Sequence, residues 1–99
     1  AVGGDLPTKT TLFGNAPNPF NPMTEIKFRV GVDSQVTLGV YDVKGRLVRH
    51  LDQGTLAAGD HSAFWNGLDN SGRTLPSGTY FCRVEGAGSS KSVKMMLVR

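Results

Sequence analysis

This chain of 99 residues holds one cysteine, Cys82, so no internal disulfide can form. Its two histidines, His50 and His61, lie far apart in sequence with no second thiol near either. That excludes the usual four-ligand structural zinc site. Apolar runs last only a handful of residues, against the ~20 that a membrane-spanning helix needs. The start, Ala1-Val2-Gly3-Gly4-Asp5, has neither the charged nor the apolar region of a signal peptide and reads as linker. It also lacks an initiator methionine, so the expectation is a piece of a longer protein whose export signal was lost with the rest. Charge of one sign is scarce too: 11 basic and 8 acidic residues give +3, and they are scattered singly. Binding to nucleic acid or an anionic membrane needs a clustered patch, which this spacing does not supply.

What the chain does have is punctuation. Pro17-Asn18-Pro19-Phe20-Asn21-Pro22 places three prolines in six residues. Each fixes φ, removes a backbone donor and pushes its predecessor toward extended geometry, so neither a helix nor a central strand can run through. Beyond this stiff lead-in, 13 glycines and five prolines cut the sequence into segments of about ten residues with no helical period. A chain of this length buries roughly 60–65% of its unfolded surface, enough for one core without staples.

The segments alternate as half-buried strands do. Lys9 to Phe13 is a weak edge strand. Thr24 to Val30 sets Ile26, Phe28 and Val30 against Glu25, Lys27 and Arg29. Val36, Leu38 and Val40 alternate up to Tyr41, and Asp42-Val43-Lys44-Gly45-Arg46 has the residues of a type I turn closed by a left-handed glycine, leading into Leu47 to Leu51. Gln53 to Asp60 reads as a loop. His61 to Asn66 is a strand that buries either Phe64 or the Ala63/Trp65 pair; period alone does not separate them, and Trp65 is the preferred core pillar. Thr79 to Glu85 turns Tyr80, Cys82 and Val84 inward, and Lys91 to Arg99 sets Val93, Met95 and Leu97 against Met96 and Val98. Seven strands with turns every 8–12 residues predict an all-β fold, an immunoglobulin-like sandwich of antiparallel strands. The Cys…Trp…Cys spacing of antibody domains is absent.

Five motifs then stand in order: Asn15-Ala16-Pro17-Asn18-Pro19-Phe20-Asn21-Pro22 with Thr24 to Ile26; Val40-Tyr41-Asp42-Val43-Lys44-Gly45-Arg46-Leu47-Val48; Trp65-Asn66-Gly67 with Asp69 and Gly72; Ser77-Gly78-Thr79-Tyr80-Phe81; and Lys94-Met95-Met96-Leu97-Val98-Arg99. Together they resemble the C-terminal sorting domain of the type IX secretion system, a relative of the immunoglobulin-like domain of the flagellar hook-capping protein. The likeness covers roughly residues 12 to 99. Two positions depart from the pattern: Asn66 replaces a common aspartate, and Cys82 an aromatic or aliphatic residue. The resemblance implies a linker over residues 1–11 from an upstream cargo domain and a sorting domain over 12–99. It further implies recognition by outer-membrane secretion machinery, removal in many cases by a sortase-like peptidase, and a secreted or cell-surface location reached through the periplasm. The exposed Gly-rich start, Ala1 to Pro7, is the natural place for a cut.

Two candidate sites follow. In the first, Pro17, Pro19, Phe20 and Pro22 dock on the sandwich, with Phe20 plugging it and setting the angle to the cargo; the plainer reading is a rigid linker covering a sheet edge. In the second, Lys94, Met96, Val98 and Arg99 are read by the translocon: at a sheet edge, unpaired backbone groups accept strand addition, while the two cations supply charge. The plainer reading packs these residues under a loop or the cargo. Asp69-Asn70-Ser71-Gly72 offers oxygens in calcium-like alternation, but no second carboxylate follows to complete six ligands, so an Asx turn is expected and no metal or cofactor. Cys82 reads as a buried, inert thiol, and His61 and Ser62 point to opposite faces of their strand. No acid/base pair or nucleophile is assembled, so catalysis is not expected. The alternatives to a sorting role are a hook-capping-type scaffold and a carbohydrate-binding module, the latter needing Tyr41, Phe64 and Phe81 on one platform.

Overall fold

A computed structural model describes residues 10–51, 53–86 and 88–99. It is all-β, with strands β1 (Thr11–Ala16), β2 (Thr24–Val30), β3 (Ser34–Tyr41), β4 (Leu47–His50), β5 (Gly54–Leu56), β6 (Gly59–Trp65), β7 (Gly78–Gly86) and β8 (Ser89–Leu97). Two antiparallel sheets face each other, β1-β2-β6 and β4-β3-β7-β8, with β5 also paired to β3. Among the described residues no helix is long and apolar enough to cross a membrane.

Period-two alternation sorts the side chains. Ile26, Phe28 and Val30 from the smaller sheet meet Val36, Leu38, Val40, Tyr80, Cys82, Val84, Met95 and Leu97 from the larger, all buried. Trp65 is 1% exposed and Phe64 60%, which settles the register of β6 with the indole inward. The Trp65 N–H donates to the Leu68 carbonyl at 2.9 Å, so its one polar atom is satisfied in the core. Burial pushes the Cys82 thiol up to about 12, which keeps it protonated and inert.

Four boundaries differ from the sequence expectation. Eight strands form rather than seven, because Gly54–Leu56, read as loop, pairs with Ser34–Val36 of β3. Three residues are too few to show alternation, and their pairing is decided by β3. β6 opens at Gly59 rather than His61 because Gly59 and Asp60 pair with Val30 and Arg29 of β2. β1 extends to Ala16 because a bulge between Leu12 and Gly14 shifts its register on β2; an extra residue there breaks the alternation that would have revealed it. β8 spans Ser89–Leu97, leaving Val98 and Arg99 beyond the ladder. Thr10 is fully buried. Its N–H donates to Ser89 Oγ (3.1 Å) and its hydroxyl to the Gly86 carbonyl (3.2 Å). Residues 1–9, most of the expected linker with its cut site, lie outside the described residues.

Candidate functional site

The proline segment leaves β1 in one sheet, crosses to the edge of β8 in the other, and returns to β2. Among the described residues β8 pairs only with β7 in its sheet, so its other backbone edge faces this strap. The Phe20 N–H donates to the Met96 carbonyl and the Val98 N–H to the Phe20 carbonyl, both at 2.9 Å, which makes a one-residue parallel bridge to Leu97. Two residues back, a parallel strand would present another peptide group. Pro19 has no N–H and holds the backbone away; the Asn18 carboxamide stands in. Its Nδ2 donates to the Lys94 carbonyl (3.3 Å) and its Oδ1 accepts the Met96 N–H (2.9 Å). A side chain thus supplies the second rung of the ladder, on an edge that must otherwise be solvated or covered.

Phe20 anchors the strap. It is 1% exposed, with its ring 5.4 Å from that of Trp65, which lies 5.4 Å from Tyr80 in an edge-on contact. The Tyr80 hydroxyl donates to the Pro76 carbonyl at 2.7 Å. Pro17, Pro19 and Pro22 are exposed, and only the Pro17 carbonyl is engaged, accepting from the Thr24 hydroxyl at 2.9 Å. Of the four residues expected to dock, the structure seats Phe20 alone; Asn18, the partner that sequence reasoning missed, does the rest. A carboxamide held between two prolines is the signal that was available.

At the last strand the strap occupies the outward backbone groups from the Lys94 carbonyl to the Val98 N–H. Strand addition over that stretch is therefore closed, a correction to the expectation of an open edge. Lys94 stays exposed, and Met96 and Val98 are 36% and 45% exposed. Arg99 is exposed and held in one place: its Nη2 donates to the Gly67 carbonyl at 2.7 Å, its Nε to the Leu75 carbonyl, and its N–H to Ser77 Oγ at 2.8 Å. Gly67 sits at φ +76°, the left-handed region that favours glycine, and a Cβ there would lie 2.6 Å from that Nη2 and displace the guanidinium.

Asp42-Val43-Lys44-Gly45-Arg46 and Asp69-Asn70-Ser71-Gly72-Arg73 fold into the same turn. In each, the aspartate Oδ1 accepts the N–H groups two and four residues on, the glycine N–H returns to the aspartate carbonyl, and the aspartate N–H donates to the arginine carbonyl. Gly45 (φ +81°) and Gly72 (φ +85°) take the left-handed position that such a turn needs. Hydrogen bonds from the Arg46 N–H, its guanidinium and the Lys44 N–H hold the Asp42 carboxyl below its ordinary range. The Ser71 hydroxyl, then the Arg73 and Ser71 N–H groups, do the same for Asp69. Asp69 Oδ1 thus forms the Asx turn expected of this segment, and Asn70 Oδ1 accepts the His50 N–H at 2.8 Å.

Tyr41 and Phe81 stand opposite each other on the outer face of the larger sheet, whereas Phe64 lies on the outer face of the smaller one. No platform unites the three, which removes the basis for a carbohydrate-binding module.

Two antiparallel sheets with this strand order form an immunoglobulin-like sandwich. The profile of the FlgD Ig-like domain family matches residues 20–90, and the chain belongs to that family. It is similar to the basal-body rod modification protein FlgD of Salmonella typhimurium, 44% identical over 46 residues, 46% of this chain and 20% of that protein. The FlgD of Escherichia coli is 35% identical over 78 residues, 76% of this chain and 34% of that protein. The chain therefore spans about a fifth to a third of the curated relatives it matches. Among solved structures, latent PorU of Porphyromonas gingivalis superposes with a TM-score of 0.71 at 23% identity, over 93% of this chain and 9% of that one. PorZ of the same organism, a surface component of its type IX secretion system, gives 0.61 at 21%, over 89% and 11%. FlgD of P. aeruginosa gives 0.58 at 25%, over 93% and 75%. The likeness to PorU and PorZ shows the fold.

Proposed function

We propose that this domain is a non-catalytic scaffold module of the hook-capping type, which binds other proteins through side chains on a closed sandwich. The family supports this reading, and the covered edge of β8 carries it. With Phe20 and Asn18 satisfying the backbone from Lys94 to Val98, the domain is built to resist indiscriminate strand pairing and to hold its surface rigid. Its place is outside the cytoplasm, on an assembled structure or at the cell surface.

A second reading, the type IX sorting domain, is favoured by one observation. Lys94 and Met96 point outward on β8, and the Ser92 backbone and the Lys94 N–H have no partner among the described residues, so this short stretch remains readable by secretion machinery. In that case the machinery, a sortase-like peptidase and an upstream cargo domain are the partners, with residues 1–11 as linker.

The two readings separate in paired experiments. Replacing the Ig-like domain of E. coli FlgD with residues 10–99 tests the scaffold role by swimming motility. Fusing residues 1–99 to an inert periplasmic reporter in a host with the type IX machinery tests sorting. We expect the chimera to restore motility. A stable chimera that leaves cells immotile, together with machinery-dependent export of the reporter, overturns the scaffold reading in favour of sorting.

A further inference from the structure

The second Asp-x-x-Gly-Arg turn does not project alone. Its Asn70 N–H donates to the Val48 carbonyl (2.9 Å), Asn70 Oδ1 accepts the His50 N–H, and Arg49 Nη1 donates to the Asp69 carbonyl (3.3 Å). The turn is thereby docked on β4, the strand that the first turn feeds, and the twin turns border one cleft of about 630 Å³. Lys44, Arg46 and Arg73 stand around it, Val48 and Leu75 line it, and Thr79 closes one side. Volumes of this order accommodate ligands or peptide side chains.

The cleft carries an excess of cations, with Lys44, Arg46 and Arg73 set against Asp42 and Asp69. Both of its carboxylates stay ionised and accept hydrogen bonds within their own turns, Asp42 from the N–H groups of Lys44 and Arg46 and from Arg46 Nε, and Asp69 through Oδ1 from Ser71 and Arg73. Among the described residues Arg73 and Lys44 have no acidic partner, and Arg46, paired to Asp42 at 3.0 Å, keeps a side chain 73% exposed. The donors that remain are side-chain cations. Concave backbone N–H groups, which would seat a compact phosphate, already close on the two aspartates. Spaced cations over an apolar lining, with Val43 on the rim at 68% exposure, suit carboxylates interleaved with apolar side chains.

We propose that the cleft between the twin turns is a docking site for an acidic, partly apolar extended segment of a partner protein, held by Arg46, Arg73 and Lys44. This rests on the reading of the domain as a protein-binding module and names the chemistry of what it binds.

The test is an NMR titration of ¹⁵N-labelled residues 1–99 with a short acetylated peptide of alternating aspartate and leucine. A lysine/leucine peptide and phosphatidylglycerol vesicles serve as controls. We expect saturable shifts confined to the two turns and Leu75 to Thr79, no response to the lysine peptide, and a loss of about tenfold in affinity in the Arg46→Gln/Arg73→Gln variant. Retained amide dispersion in that variant shows that the fold is intact, since the backbone bonds to Asp42 and Asp69 do not need either guanidinium. Unchanged affinity in the variant, shifts centred on Lys91 and Lys94, no saturable shift, or binding to the vesicles in preference to the peptide each overturns the proposal. Because the titration needs neither motility nor export, an immotile chimera with intact peptide binding sinks the scaffold role and leaves the cleft standing.

Discussion

Phe20 carries more of this fold than its position in a proline-rich stretch suggests. Its ring is buried against Trp65, and removing a phenyl group from water contributes about 1.5–3 kcal/mol before the cavity left by its loss is counted. We expect Phe20→Ala to cost about 3–5 kcal/mol in denaturant unfolding followed by Trp65 fluorescence. Phe64→Ala, on a side chain that stays 60% exposed, should stay within about 0.5 kcal/mol. Equal losses for the two would show that Phe20 is not an anchor. At this scale the sequence was legible for Cys82, whose strand alternates cleanly, and for Trp65 through the preference of a large indole for the core rather than through period. It was not legible for Asn18, whose role depends on a strand 76 to 78 residues away, and no local pattern encodes such a distance.

Among the elements, the strap and the turns make separable contributions. Asn18→Asp replaces the donor aimed at the Lys94 carbonyl with a second acceptor, leaving that rung broken. We expect a loss of about 1–3 kcal/mol and faster hydrogen exchange at the Met96 amide; unchanged protection at Met96 would count against the carboxamide as a rung. For the turns the pH dependence has a definite sign. Asp42 and Asp69 have folded pKa values below the ordinary 3.8, so the unfolded chain binds protons first as the pH drops. The stability they give is fully present above about pH 5 and is lost as the pH falls through 3.8 toward the folded values. We expect the unfolding midpoint to drop between pH 5 and pH 3, and the drop to shrink in Asp42→Asn/Asp69→Asn. An acid dependence identical in the double variant would place the effect elsewhere, on Asp60 and its ion pair with Arg29 first. The turn residues of both motifs were readable as turns; that they are one design used twice, and adjacent, was not, because adjacency comes from Asn70 reaching β4.

At the scale of the whole molecule, the last strand serves folding, and on the sorting reading it would serve recognition as well. Met95 and Leu97 are core residues while Lys94 and Met96 face outward, so deleting Lys94 to Arg99 removes the seat of Phe20 along with any recognition surface. A truncation therefore cannot separate sorting from stability, and point changes on the outward face are the informative ones. The strap gives the same lesson from the other end: it reaches both sheets, so β1 and β2 are coupled to the last strand through Phe20.

Alternation by itself determined the all-β sandwich and the inward faces of its strands other than β6, because a period of two is written in neighbouring residues. The resemblance carried by the five motifs added the immunoglobulin-like relation, which the FlgD family match shows. Only the tertiary structure decided that the edge of β8 is closed, that Arg99 is held by the Gly67 and Leu75 carbonyls, that Gly54–Leu56 pairs at all, and that two distant aspartate turns frame one basic cleft. Each of these rests on hydrogen bonds between segments far apart in the chain, and their geometry exists only once both sheets have packed.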